Sequence, residues 1–262
     1  MSAYDPSWQF TRAITRRPAP SVTAGLRVVD TGAPDFDLML QHHAEYVEAL
    51  REAGAQIIEL DPLDDFPDGL FVEDTALCLL EGVVLMRPGA PTRLGEVAQI
   101  EPVLQGLFEN FVRIDGPGTI EAGDILTTSR EVLVGQSLRT NSDGIAALAS
   151  ILSDWGRVLR EVSVPEGVLH FKTDCSLLDS TTILSTERLA KSGVFSDYNI
   201  IFTAEGEEAA ANAIRYNNFV LMSAGFPKTA QHLREAGYQV KELGNSECAK
   251  LDGGMSCLSL RF

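Results

Sequence analysis

AANAIRYNNFVLMSAGFPKTAQHLREAG, residues 210–237, contains the unit from which the fold is read. Two short apolar runs, AIRY and FVLM, flank Asn217-Asn218, and asparagine is at home in tight turns. A loop and a helical stretch follow. The same order of strand, turn, strand, loop and helix recurs in DILTTSREVLVGQSLRTNSDG at 124–144. It recurs again in TALCLL and VVLMRP (75–80 and 83–88), where Glu81-Gly82 reads as the turn. RPGAPTR is then the loop, and a helix is expected from about residue 95. CSLLDSTTILST, 175–186, carries the pattern more weakly. Four copies thus follow one another at about 40–50 residues, a spacing typical of repeat architectures. A fifth is assembled from two distant segments. MSCLSLRF (255–262) supplies one strand, and RAITRRPAPSV (12–22) supplies the next strand and its loop. A closed ring brings such segments together and leaves no long open sheet edge. The hairpin inside each copy argues against an open sheet of purely parallel βαβ windings. The expectation is an α/β fold, one domain over residues 1–262, made of five ββαβ units around an axis.

Outside the repeats, FDLMLQHHAEYVEALREA (36–53) places Phe36, Leu40, Tyr46, Val47 and Leu50 at amphipathic-helix spacing, with a stop at Gly54. AQIIEL reads as a buried strand, and DPLDDFPDG as a turn-rich connection.

Composition narrows the function classes. The chain has 262 residues and is 45% hydrophobic, enough for a sizeable core. No window approaches 18 uninterrupted apolar residues, so no membrane span is expected. MSAYDPSWQF lacks a basic start followed by an apolar run, so no secretory signal is read there and a cytoplasmic location is expected. The net charge is 21 − 37 = −16. Phosphate contacts need clustered Lys and Arg, so nucleic acid is a poor partner. An acidic surface either serves solubility or draws in small cations. Cys78, Cys175, Cys248 and Cys257 contain no CxxC pair and are expected as thiols.

The chemistry-bearing residues recur in register. FVEDT (71–75) puts Glu73 and Asp74 at the start of the first unit, and GTIEAGD (118–124) puts Glu121 and Asp124 at the start of the second. VLHFKTD (168–174) opens the third with His170, Lys172 and Asp174. DGGMSC (252–257) leads into the fifth and sets Cys257 beside two glycines, which permit close backbone approach. Each residue alone has a plain structural reading. Free Cys packs in cores, a lone His is commonly structural, and Asp caps turns. In a ring, however, the same positions converge on the axis, where a thiol, an imidazole and carboxylates could act together. His42, His43 and His232 lie on helices and are expected at the surface. Arg87 and Arg93 in RPGAPTR, and Arg139 in QSLRTN, stand on loops, and an arginine there can fork onto a carboxylate.

FPDGLFVEDT, RPGA, GTIEAGD, LRTN, VLHFKT and LDGGMSCLSLRF together resemble dimethylarginine dimethylaminohydrolases of the bacterial type, nearly end to end. These belong to the guanidino-group-modifying enzymes. The resemblance implies a five-bladed α/β propeller. It implies Cys257 as nucleophile, His170 as general acid and base, and Glu121 as the carboxylate that orients His170 and contacts the guanidinium. It implies that Asp74 holds the guanidinium of a cationic guanidino amino acid. Arg87 and Arg139 would hold the substrate carboxylate, Asp68 its ammonium with the Glu73 backbone nearby, and Leu26 would sit on a lid loop. Arg27 departs from the small polar residue expected beside it, which puts lid behaviour in question. The reaction implied is hydrolysis of Nω-methylated arginine to citrulline through a thiouronium on Cys257, with no metal or organic cofactor. An arginine deiminase, another substituted-guanidine hydrolase or an amidinotransferase would use the same trio. A non-catalytic binding protein on the same ring would not be expected to keep it. A homodimer is left open. Because Asp74 and Glu121 are anions, the free thiol is expected to stay protonated at neutral pH.

Overall fold

Fifteen short strands, among the described residues, pair into five separate three-stranded sheets. The structure is a computed structural model that describes residues 4–262, so the first three residues of MSAYDPSWQF lie outside it. Chain order begins with β1 (Arg12–Arg16), α1 (Phe36–Glu52) and β2 (Gln56–Leu60). The next unit is β3 (Ala76–Leu79), β4 (Gly82–Leu85), α2 (Leu94–Gln105) and β5 (Phe111–Arg113). Then come β6 (Ile125–Thr127), β7 (Val132–Gln136), α3 (Ser142–Asp154) and β8 (Leu159–Ser163). The weak copy is β9 (Cys175–Leu177), β10 (Thr182–Ser185), the single-turn α4 (Glu187–Ala190) and β11 (Asn199–Phe202). The clear copy is β12 (Ile214–Tyr216), β13 (Phe219–Ser223), α5 (Pro227–Glu235) and β14 (Gln239–Leu243). The short α6 (Ser246–Ala249) leads to β15 (Leu260–Arg261).

Every sheet has one design. The first two strands form an antiparallel pair, and the third joins the second in parallel after the helix crosses over. The fifth sheet is assembled as the sequence predicts: β15 pairs antiparallel with β1 at Ala13↔Arg261, and β1 pairs in parallel with β2. The helices cover the sheets through amphipathic stripes. Ile145, Leu148 and Leu152 of α3 share a buried cluster with Val132 and Val134 of β7, and Ala230 and Leu233 of α5 with Val220 and Met222 of β13. Burying one such Leu or Val stabilises the fold by about 1.5–3 kcal/mol. No helix among the described residues is long and apolar enough to cross a membrane.

Local chemistry explains the turns. Asn217 takes φ 52° at the predicted hairpin, and its amide also binds Phe10 and the Ala53 carbonyl, tying this turn to the end of α1. The first hairpin differs by one residue from the expected Glu81-Gly82 turn. Leu79 pairs with Gly82, so Leu80-Glu81 make the turn and Gly82 opens β4. At Gly82 a Cβ would lie 2.5 Å from the Asn110 carbonyl, so the strand start needs glycine. The expected surface position of His43 is also corrected. The buried stripe of α1 runs Met39, His43, Tyr46, Leu50, which places His43 inside and leaves Leu40 half-buried.

One recurring detail positions the site. A single 3-10 turn precedes the first strand of every sheet: Val72–Thr75, Ala122–Asp124, Phe171–Thr173, Glu208–Ala211 and Ser256–Leu258. These turns touch their neighbours around the axis. The turn at 72–75 meets those at 256–258 and 122–124, which meets 171–173, which meets 208–211. The in-register polar residues therefore gather at one end of the axis.

Candidate active site

Glu121 and His170 each stand immediately before a 3-10 turn, with extended backbone that points the side chain to the axis. His170 Nε2 lies 2.8 Å from Glu121 Oε2. The other Glu121 oxygen accepts from the Gly89 N–H at 2.9 Å and lies 3.5 Å from Arg139 Nη1. Burial alone would lower the His170 pKa, but Asp74, Glu121 and Asp124 around it raise it to about 9. Burial alone would raise Glu121, yet its hydrogen bond and ion pair with His170 bring it down to about 2. The pair is thus imidazolium and carboxylate at neutral pH.

Asp74 is held from two sides. Gly123 N–H donates to Oδ1 at 3.0 Å and Arg93 Nη1 donates to Oδ2 at 2.6 Å. A Cβ at Gly123 would sit 2.8 Å from Asp74 Oδ1 and 2.9 Å from His170 Nδ1. The glycine of GTIEAGD is therefore the condition for bringing carboxylate and imidazole together. Asp124 ties the same place to the Arg139 loop. Its Oδ1 accepts from Phe171 N–H at 2.8 Å, its Oδ2 from Ser137 Oγ at 2.7 Å, and that hydroxyl accepts from the Arg139 N–H at 3.0 Å.

Cys257 lies in the last 3-10 turn, buried, with the Gly254 N–H donating to Sγ at 3.4 Å. Its loop is pinned from outside. Tyr46 Oη bonds the Met255 carbonyl and Ser259 Oγ, and Arg261 Nη1 donates to the Ser256 and Ser259 carbonyls. Burial, then the anions Glu73 and Asp74, push the thiol up to about 11. The free thiol is therefore protonated at neutral pH; of the two anions named from the sequence Asp74 contributes, while burial acts first and Glu73 takes the place of Glu121.

A pocket of about 120 Å³ opens onto this group, with Cys257, His170, Asp74, Asp68, Arg139 and Leu26 on its wall. Asp68 Oδ1 accepts from the Leu26 N–H at 2.9 Å, and Asp252 Oδ2 accepts from the Val28 N–H at 2.6 Å, so the 26–28 loop is latched across the mouth. Asp252 reaches this position with φ 59°. Arg27 folds back on its own loop, donating to the Thr23 and Gly32 carbonyls. Burial raises the Asp68 carboxyl.

Two expected positions differ. Arg87 is not on the pocket wall. Its backbone makes an isolated bridge to Ile120, next to Glu121, and its Nε is buried without a partner among the described residues. Arg93 stands on the wall instead, because the Pro91–Arg93 turn swings it inward. Its guanidinium is saturated by Glu96, Asp74 and the Phe71 carbonyl. Glu73 also faces away: its carboxylate pairs with Lys172 Nζ at 2.6 Å and Arg261 Nη2 at 2.7 Å, beside a second cavity. In the sequence Arg93 is one of the two arginines of RPGAPTR and Asp252 the first residue of DGGMSC, while Arg261 carries no signal beyond its neighbourhood to the motifs. The donor atoms of Asp74, Glu121 and His170 come within 4.8 Å of one another. A metal ion bound through His170 Nε2 and Glu121 Oε2 would displace the hydrogen bond between them, whereas a planar guanidinium needs carboxylates held in this way.

The arginine deiminase family model matches residues 62–221. The dimethylarginine dimethylaminohydrolase of Pseudomonas aeruginosa is 40% identical over 254 residues, which span 97% of this chain and 100% of that protein. The chain belongs to the dimethylarginine dimethylaminohydrolase family. The Streptomyces coelicolor member is 32% identical over 96% of both chains. A solved structure of the Pseudomonas member, a Cys-to-Ser mutant bound to citrulline, superposes with a TM-score of 0.95 at 38% identity, over 97% of this chain and 100% of that one. The product-bound N-terminal domain of the cyanobacterial arginine dihydrolase ArgZ, at 21% identity and a TM-score of 0.85, shares the fold over 95% and 96% of the two chains. The five sheets are thus the blades of the family's α/β propeller.

Proposed function

We infer that the chain hydrolyses Nω-methylated arginine to citrulline and the methylamine, through a covalent thiouronium on Cys257. The observation that carries this reading is one pocket wall that holds a thiol, an imidazole paired to a carboxylate, and a second carboxylate anchored by Arg93 and Gly123. A guanidinium is a weak electrophile because its charge is delocalised. Asp74 fixes it in plane, and the arriving cation supplies the positive charge that the thiol lacks.

The protons balance as follows. Cys257 loses its proton to solvent as the substrate binds, and the thiolate adds to the guanidinium carbon. His170, already protonated, gives its proton to the amine as the C–N bond breaks. A thiouronium cation remains on sulfur and His170 is neutral. His170 then takes a proton from water as that water attacks the same carbon. The C–S bond breaks, citrulline leaves, and its excess proton returns to sulfur. Arg139, with one long contact to Glu121, is the cation on the wall with capacity for the substrate carboxylate, and Asp68 on the same wall is the acceptor for its ammonium, while Glu73 lines the second cavity instead. The latched loop at Leu26 shields the adduct.

The family model's own name favours a second reading, turnover of unmethylated arginine. A panel of dimethylarginine, monomethylarginine, arginine and agmatine, assayed for ureido product, separates the two. Methylated arginines should lead. Faster turnover of arginine would replace the first reading with the second, and turnover of agmatine at the rate of its carboxylated counterparts would remove Arg139 from substrate binding.

A further inference from the structure

The structure assigns Asn212 a direct part in activating Cys257, as the fourth blade's contribution to the site; this rests on Cys257 being the nucleophile. Around the axis, the turns of four blades present Asp74, Glu121, His170 and Cys257. The turn of the fourth, Glu208–Ala211, ends on Asn212, which is buried and stands two residues before β12, as Asp74 stands two before β3.

The amide is oriented by its surroundings. Ser256 N–H donates to Asn212 Oδ1 at 2.9 Å, which fixes that atom as the oxygen and turns Nδ2 toward Cys257 Sγ, 3.9 Å away. Gly254 closes the arrangement. A Cβ there would lie 2.2 Å from Asn212 Cγ, so the glycine lets the amide lie flat against the loop while its own N–H donates to Sγ. The sulfur therefore has two neutral donors in a place where Glu73 and Asp74 oppose its charge. A thiolate on Cys257 gains from both; a neutral thiol gains little, because hydrogen bonds to an ion are about twice as strong as those between neutral groups. The donors lower the cost of the anionic nucleophile without adding a cation that would repel the substrate.

N212D and N212A separate this role from simple support of the loop. Asp keeps the shape and the acceptor for Ser256 N–H, but replaces the donor with a negative charge; Ala removes both. The rate of iodoacetamide alkylation at Cys257, followed at pH 8 by mass spectrometry of its peptide in the substrate-free enzyme, reads thiolate formation directly. Alkylation is expected to slow about threefold in N212A and about tenfold in N212D, less than the thiolate fraction falls because a more basic thiolate is a better nucleophile. kcat is expected to drop in the same order with KM within about twofold. N212D carries the test if N212A does not fold. Wild-type alkylation in N212D, or a loss in N212A that matches or exceeds that in N212D, would overturn the assignment. Failure of the reading beneath it shows elsewhere, as citrulline release by C257S.

Discussion

The two cavities on the ring axis, about 120 Å³ at the front and about 140 Å³ at the rear, differ in the carboxylates they offer. The front wall carries Asp68, Asp74 and Asp252 among its cations. The rear wall has the Glu73 carboxylate against Arg157, Lys172, Arg215 and Arg261. Those rear charges are consumed: Glu73 by Lys172 and Arg261, Arg157 by Glu81, and Arg215 by the faces of Trp8 and Tyr238 at 5.3 and 5.2 Å. A guanidinium finds in-plane acceptors at the front and four cations at the rear. The number of carboxylates on the wall, three at the front and one at the rear, separates the two ends.

The largest test of that contrast is C257S. Citrulline formation should fall at least about 10³-fold while the thermal melt stays in place, since the change is nearly isosteric and removes the nucleophile. Retained turnover would move the chemistry away from the front pocket. E121Q comes next, with kcat down about 10²- to 10³-fold. Its pH profile sharpens the assignment. Glu121 helps to raise His170 above its ordinary 6.5, so its loss should move the alkaline limb, near 9 in the parent, toward lower pH. A limb that stays near 9 would assign proton retention to Asp74 and Asp124. R139Q should raise KM for dimethylarginine about 10- to 100-fold, with a smaller effect on kcat and none on agmatine. Smaller still is a change outside both cavities. His43 is buried and held near 4 by burial and by Arg17, against 6.5 when unfolded. The unfolded chain therefore takes up the proton first as pH falls. Stability should decline from pH 6.5 to pH 4, by at most 6.5 − 4 = 2.5 pKa units, or about 3 kcal/mol. In H43L, melts should lose that part of the acid dependence. At the rear, S176A should leave turnover unchanged and shift stability by less than about 1 kcal/mol, because the buried Ser176 hydroxyl has no side-chain or backbone partner among the described residues to lose. A tenfold loss of activity there would break the contrast.

The ring was legible because its signal is local. Short apolar runs around Asn217-Asn218, and around a turn read at Glu81-Gly82 that falls one residue earlier, mark hairpins, and their spacing repeats. The third blade read weakly because α4 is a single turn that shows no helical period. His170, Glu121, Asp74 and Cys257 were legible through register, since each belongs to a turn before a first strand. Arg87 rests on the resemblance alone, since nothing in RPGAPTR says which of its two arginines a three-residue turn rotates inward. His43 was misplaced because a buried imidazole scores as polar although α1 places it one turn from Met39 and Tyr46. Asn212 escaped notice for a related reason: an uncharged amide carries no titratable signal, and only its register with Asp74 marks it.

The pairing of β15 with β1 has a kinetic consequence. Four sheets are built from strands near one another in the chain, whereas the fifth joins segments from opposite ends of the described residues. Contacts between such distant segments form slowly. During refolding, Glu121 and His170 can be in place before the thiol loop is drawn in by ring closure. Recovery of activity should then lag behind recovery of helical signal, and the delay measures the seam where the circle shuts.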